Sequence, residues 1–242
     1  MSRNLILLCA LVLASTLGVA QNDTPFAIWT DFNPSYKISE RWKIGGDIGY
    51  RIAPSTSDQT VYLRPTITYI PGNVISFITG IASFNHYNPD SYSSTELRTF
   101  QFVVVLWPRI IEFQFKHRLG LEQRWFYIPE LGLADFVSRV RYYLELRSPK
   151  FNLFSISSPF YALTNFEILR DLDDEKLGRL IDHNRYTFGI GNHVSDRFQV
   201  DIRYKLINFL DPTLNTFISN LNVIRIRFYY KISPPGSKNI EK

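Results

Sequence analysis

Along most of the chain apolar side chains return at every second position. Trp42, Ile44, Ile48, Tyr50 and Ile52 share one face with Gly46, and Lys43, Asp47 and Arg51 share the other with Gly45 and Gly49. A repeat of two is that of a strand, whose side chains alternate between faces, and not of a helix with its repeat of 3.6. The same sorting recurs at Ile111–Phe126, Arg139–Arg147, Arg185–Val194, Phe198–Lys205 and Ile224–Ile232. Weaker alternation predicts strands at Phe26–Ile38, Val61–Tyr69, Val74–Asn85, Glu96–Leu106 and Phe160–Leu169. Pro65 predicts a bulge or a strand end within one of these. In Glu96–Leu106 the register is open, because Phe100, Phe102 and Val104 follow the parity of Glu96 and Arg98.

The breaks between strands fall into two kinds. Tight turns are predicted at Ser39-Glu40, Pro71-Gly72-Asn73, Pro108-Arg109 and Ser195-Asp196. Longer loops are predicted at Pro54–Asp58, His86–Ser94, Tyr127–Asp135, Asp171–Asp182 and Leu206–Ser219. Short turns on one rim and long loops on the other are the habit of outer-membrane barrels, which also have even strand numbers. Eleven strands therefore imply either a hidden twelfth or one spurious weak strand, and twelve is favoured over ten. The expected fold is all-β: a single antiparallel transmembrane barrel of 12 strands, within a range of 10–12.

Composition adds an address. Hydrophobic residues make up 45% of the 242 positions, yet mean hydropathy is only -0.09, as alternation requires. The one apolar cluster is Leu5–Leu17, preceded by Arg3 and followed by Gly18-Val19-Ala20. This is the pattern of a cleaved secretory signal peptide over residues 1–20. Cys9, the sole cysteine, lies inside it, so the mature chain is expected to hold no disulfide. Residues 21–233 are assigned to the barrel and 234–242 to a polar tail. No other stretch holds the roughly 18 apolar residues of a spanning helix, so a membrane form must be a closed barrel.

Alternation alone does not say which face is inside. Strands of about ten residues match a bilayer crossing. Aromatics recur near strand ends, at Trp29, Trp42, Tyr50, Tyr69, Trp107, Trp125, Phe126, Tyr204 and Tyr230, as an interfacial girdle would. Arginines and carboxylates stand two residues apart on the polar face, where they can link strands across a lumen. These features favour lipid outside and charge inside, over an exported soluble ligand-binding barrel.

Glu96-Leu97-Arg98, Leu121-Glu122-Gln123-Arg124, Arg139-Val140-Arg141-Tyr142 and Asn184-Arg185-Tyr186 form an ordered series after Trp29-Thr30. In these motifs the chain resembles the domain of unknown function 2490 family of outer-membrane β-barrel proteins, found widely in Bacteroidetes-type bacteria. The resemblance implies an outer-membrane barrel and brings no activity or catalytic residues with it. One departure is the terminus. Ser233-Pro234-Pro235 and a polar tail follow the last strand, where such barrels commonly end on an aromatic residue.

The charged face carries the candidate chemistry. Its predicted lattice comprises Glu112, Lys116, Arg118, Glu122, Arg124, Arg139, Arg141, Glu145, Arg147, Arg185, Asp201, Arg203, Arg225 and Arg227, with Asp47, Arg51, Arg64, Glu167, Lys205 and Lys231 on the same face. Read structurally, guanidinium forks pair with carboxylates and hold strands in register. Read functionally, the surplus of bases makes an electropositive lumen that favours anions. His117 has the parity of the apolar face, where a general base of a lipid- or lipopolysaccharide-modifying enzyme could sit, but no nucleophile accompanies it. His183 and His193 read as rim or lumen residues.

Four histidines and no mature cysteine give no metal-ligand spacing. P-loop, dinucleotide and nucleophile-elbow motifs are absent. The isoelectric point near 9.2 does not mark a nucleic-acid binder, because the bases alternate through strands rather than forming a patch. No cofactor is expected. The expected setting is the bacterial outer membrane, with its lipids, lipopolysaccharide and barrel-assembly machinery as partners.

Overall fold

A computed structural model describes residues 25–89, 93–153, 158–172, 183–211 and 216–232. The expected signal peptide over residues 1–20, with Cys9, the expected tail 234–242 and most of the predicted Asp171–Asp182 loop lie outside the described residues. Eleven strands follow in order: β1 Phe26–Lys37, β2 Trp42–Ala53, β3 Asp58–Tyr69, β4 Ile75–Tyr87, β5 Ser94–Leu106, β6 Gln114–Ile128, β7 Leu133–Arg147, β8 Phe160–Asp171, β9 His183–His193, β10 Phe198–Asp211 and β11 Thr216–Ile232. Each coincides with one strand expected from the alternation. They close into one barrel in chain order, with β1 beside β11.

The count corrects the expected twelve. Ten successive antiparallel pairings leave β1 and β11 running the same way, so an odd barrel must close on a parallel pair. That seam runs in register from Phe26 opposite Asn222 to Tyr36 opposite Ile232. The barrel is therefore antiparallel everywhere except at this joint, and the ends of the two seam strands leave it at opposite rims.

The tight turns and the longer loops do fall on opposite rims, but not all of their lengths are as expected. Strands run on through much of two of the long loops: β6 and β7 are joined by residues 129–132, and β10 and β11 by 212–215, whereas the link 54–57 between β2 and β3 is as expected. The longest link on the opposite rim, 148–159, has no counterpart among the predicted turns.

Pro65 neither bulges nor ends its strand. It lies inside β3 opposite Gly46, whose φ of 152° is open only to glycine. The ladder between β3 and β4 passes over Arg64 and Pro65 and resumes in the same register at Thr66. The gap falls where the proline has no N–H to give to the ladder. A true register shift occurs between β10 and β11, at Ile207/Asn208.

Facing follows parity throughout. Outward positions carry Ile44, Ile48, Leu63, Ile67, Phe77, Ile81, Leu97, Val103, Leu119, Leu121, Phe188 and Ile202, all exposed. Trp42 and Trp107 stand near one rim and Tyr50, Tyr87, Trp125 and Tyr127 near the other, also exposed. Trp29 and Phe126 do not belong to these belts. Both line the interior, because Trp29 shares its pairing level with Arg51 and Arg225, and Phe126 is two residues from inward Arg124.

The interior holds two apolar clusters, one of them formed by Ala27, Trp29, Ile207 and Val223. Tyr62, Ala82, Phe84, Phe100 and Phe102 form the other, on β3, β4 and β5. This settles β5: Glu96, Arg98, Phe100 and Phe102 all point inward. Gly120 makes room for that wall, since a Cβ there would stand 2.1 Å from the Phe102 ring and 2.3 Å from the Gln101 carbonyl oxygen.

Candidate functional site in the barrel lumen

A cavity of about 1250 Å³ occupies the barrel, lined from Lys43, Lys231 and Gln199 near one rim to Ser94, Leu133 and His183 near the other. Its walls are charged because inward positions alternate with apolar outward ones. Each buried charge then requires a partner, since burial without one costs several kcal/mol by typical measures.

The carboxylates are shared. At the seam, Asp31 accepts from Arg225 Nε at 2.5 Å and Arg227 Nε at 2.7 Å. Asp47 on β2 takes a two-bond fork from Arg64 on β3, both bonds 2.7 Å. Glu96 takes a fork from Arg98, both bonds 2.6 Å, and a further bond from Arg124. Glu122 accepts from Arg139 Nη2 at 2.5 Å and from Arg141.

Glu167 continues the chain of pairs, accepting from Arg141 at 2.5 Å, Arg118 at 2.9 Å and Arg185 at 3.2 Å. Lys116 donates to Glu145 at 2.8 Å, with Arg147 at 3.3 Å and Arg203 at 3.7 Å from the same carboxylate. Asp201 binds Arg203, Tyr161 and Gln199. Arginine serves here because its planar fork reaches two carboxylates at once.

Arginines also stack on the inward aromatics. Arg98 lies 3.9 Å from the Phe84 centroid and Arg118 4.8 Å from that of Phe102. Arg51 lies 4.3 Å from Trp29 and 4.7 Å from Tyr62. Such contacts partly offset the loss of hydration of a cation.

Of the predicted lattice residues, all but one point into the barrel. Glu112 is the exception. It precedes β6 in a turn closed by the Ile110–Phe113 bridge, where Ile111 and Glu112 have φ of 49° and 67°. Two left-handed residues are the geometry of a tight hairpin turn, so the chain reverses before the alternation begins. Glu112 is exposed and meets Arg109 at 3.6 Å. The Asn-Gly type of signal that marks such turns is absent, which is why period two was extended through it.

The lattice also holds residues the sequence reading left out. Asp31 lies on a weakly patterned strand and was not assigned. Glu96 and Arg98 share their face with two phenylalanines, which hid their role.

His117 faces outward as expected. Its Nδ1 lies 2.7 Å from the Tyr142 hydroxyl, and its ring meets the edge of Trp107. His183 and His193 are inward, near the ends of β9, with His193 against Tyr161 at 5.3 Å. Among the described residues no three His, Cys, Asp or Glu side chains come together to hold a metal.

Fold and lumen together define a closed eleven-stranded β-barrel with an apolar exterior and a charged, ion-paired interior. The chain belongs to the family described as Protein of unknown function (DUF2490), whose model matches residues 26–216. That match takes in β1 to β10. No curated protein matches the chain.

Proposed function

We propose that the protein spans a bacterial outer membrane and passes small anions through a narrow electropositive lumen. The observation that carries this reading is the end-to-end cavity, whose lining, among the described residues, holds sixteen Lys or Arg residues and five Asp or Glu. Asp31, Glu122, Asp171 and Asp201 in the wall raise the acids only to nine against sixteen among the described residues. The lattice holds the barrel together, and the surplus sets the sign of the lumen.

The exterior supports the membrane setting. In water, continuous apolar patches seldom exceed a few hundred Å² on a monomer, whereas here the apolar face runs over the strands between two aromatic belts. Lipid is the solvent that suits such a face. Outer-membrane lipids, lipopolysaccharide and the barrel-assembly machinery are then its natural partners. A strand of 12 residues extends ~40 Å and, tilted about 40°, rises ~30 Å. Spread over that height, 1250 Å³ gives a mean section of ~40 Å². That admits small ions and excludes the solutes of wide porins.

An enzymatic reading through His117 draws less support, because its ring contacts are those of an interfacial residue beside Tyr142 and Trp107. The test is conductance of the purified barrel in planar bilayers under a potassium chloride gradient. The reversal potential should have the sign of chloride permeation. Cation selectivity, or no current, would refute the pore. Recovery of the protein in an aqueous fraction without detergent would refute the membrane setting.

A further inference from the structure

One sector of the lumen holds more positive charge than its carboxylates can answer. Three cations gather around Trp29: Arg51 at 4.3 Å, Lys205 at 5.5 Å and Arg225 at 5.8 Å from the indole centroid. Arg225 has Asp31. Among the described residues, Arg51 and Lys205 have no carboxylate within ion-pair distance. Lys205 is 6% exposed, and the like charges acting on it most strongly are those of Arg185 and Arg225. Its attractive neighbour is Glu167, whose single charge is already divided among Arg118, Arg141 and Arg185.

Unmet donors point the same way. The buried Nε atoms of Arg51 and Arg185 have no hydrogen-bond partner, and neither does the hydroxyl of Thr187. Thr187 is 1% exposed, stands directly opposite Lys205 on the neighbouring strand, and lines the same cavity as Arg51, Arg185 and Lys205. Among the described residues, Lys205 lies buried near like-charged Arg185 and Arg225, with idle N–H and O–H donors around it and no carboxylate within ion-pair distance. The indole face alone offsets only about 2 kcal/mol for a desolvated cation, less than the several kcal/mol that an unpaired buried charge costs.

We infer that this sector is a binding site for a soluble divalent oxyanion of the phosphate class. Lys205 and Arg51 would supply charge, and Thr187 and the Arg185 edge hydrogen bonds. Oxyanions suit guanidinium donors by geometry as well as charge, which a halide does not. A lipid headgroup does not suit the site, because Trp29 and Lys205 lie inside a closed wall that no acyl chain can follow. The inference rests on the electropositive lumen of the proposed function but not on conduction, since a blocked barrel could hold the same ion.

The test is titration of the folded barrel in detergent with inorganic phosphate, followed by Trp29 emission and by isothermal calorimetry. Saturable binding is expected, with competition by sulfate and none by chloride at equal ionic strength. Lys205→Met should weaken it tenfold or more, and the near-isosteric Thr187→Val several-fold. Trp29→Phe should abolish the optical signal, which assigns that signal to this sector. Absence of saturable heat in the wild type, or equal affinity in Lys205→Met and Thr187→Val, would overturn the site. Anion-selective current without phosphate binding would overturn the site alone. Phosphate binding without current would overturn the pore and support the site.

Discussion

Asp31→Asn removes the one carboxylate that clamps the parallel seam. The variant keeps size and shape and deletes a charge that two guanidinium groups share, Arg225 at 2.5 Å and Arg227 at 2.7 Å. Asp31 is 1% exposed, so water does not replace it. Breaking a buried pair by removing one partner costs about 3–5 kcal/mol. The lower end applies here, because other groups take up part of the loss. Asp47 lies 3.9 Å and 4.0 Å from the two guanidiniums, and Asn33 accepts from Arg227 at 2.6 Å.

A loss of about 3 kcal/mol, with a guanidinium slope of roughly 2–6 kcal/mol per molar, moves the unfolding midpoint down by about 0.5–1.5 M. The assay is unfolding of the barrel in lipid vesicles, followed by tryptophan emission and by heat-modifiable migration. Glu40→Gln, which removes an exposed pair with Lys37, serves as the control and should leave the midpoint in place. An Asp31→Asn midpoint equal to that of the wild type would refute the idea that charge pairing holds the seam.

Two other substitutions test the two faces of the wall. Ile81 is 62% exposed at the middle of β4, and Ile81→Arg should cost about 2–4 kcal/mol in a bilayer; unchanged insertion into vesicles would count against lipid outside. Gly120→Ala should cost about 1–3 kcal/mol by overpacking, read as a lowered denaturant midpoint, because the new methyl meets the Phe102 ring and the Gln101 carbonyl. Gly72→Ala, with open space around it, is the matched control, and equal midpoints for the two would show that the wall relaxes freely.

All eleven strands were legible in the sequence, and so was the inward set of Arg118, Glu122, Arg139, Arg141, Glu145, Arg185, Asp201, Arg203 and Arg225. Period two is a local property: a side chain's face follows from its neighbour two residues away, so residues such as Ile48 and Asp47 sort themselves without knowledge of the fold. Glu112 shows the limit of that rule. Its parity was right, but the chain had already turned at two left-handed residues that carry no turn-forming side chains.

What the tertiary structure alone decided is everything that joins distant strands. The alternation of eleven strands was compatible with a hidden twelfth, and only closure showed that β1 meets β11 in parallel. Trp29 has the aromatic character of a belt residue, yet its place opposite Arg51 and Arg225 puts it inside. Partner choice is equally non-local: Glu167 gathers arginines from three other strands, whereas Lys205, with equal parity, receives no carboxylate of its own among the described residues. Strand and face are set by neighbours along the chain, while seam, pairing and unmet charge are set by which strands the closed barrel brings side by side.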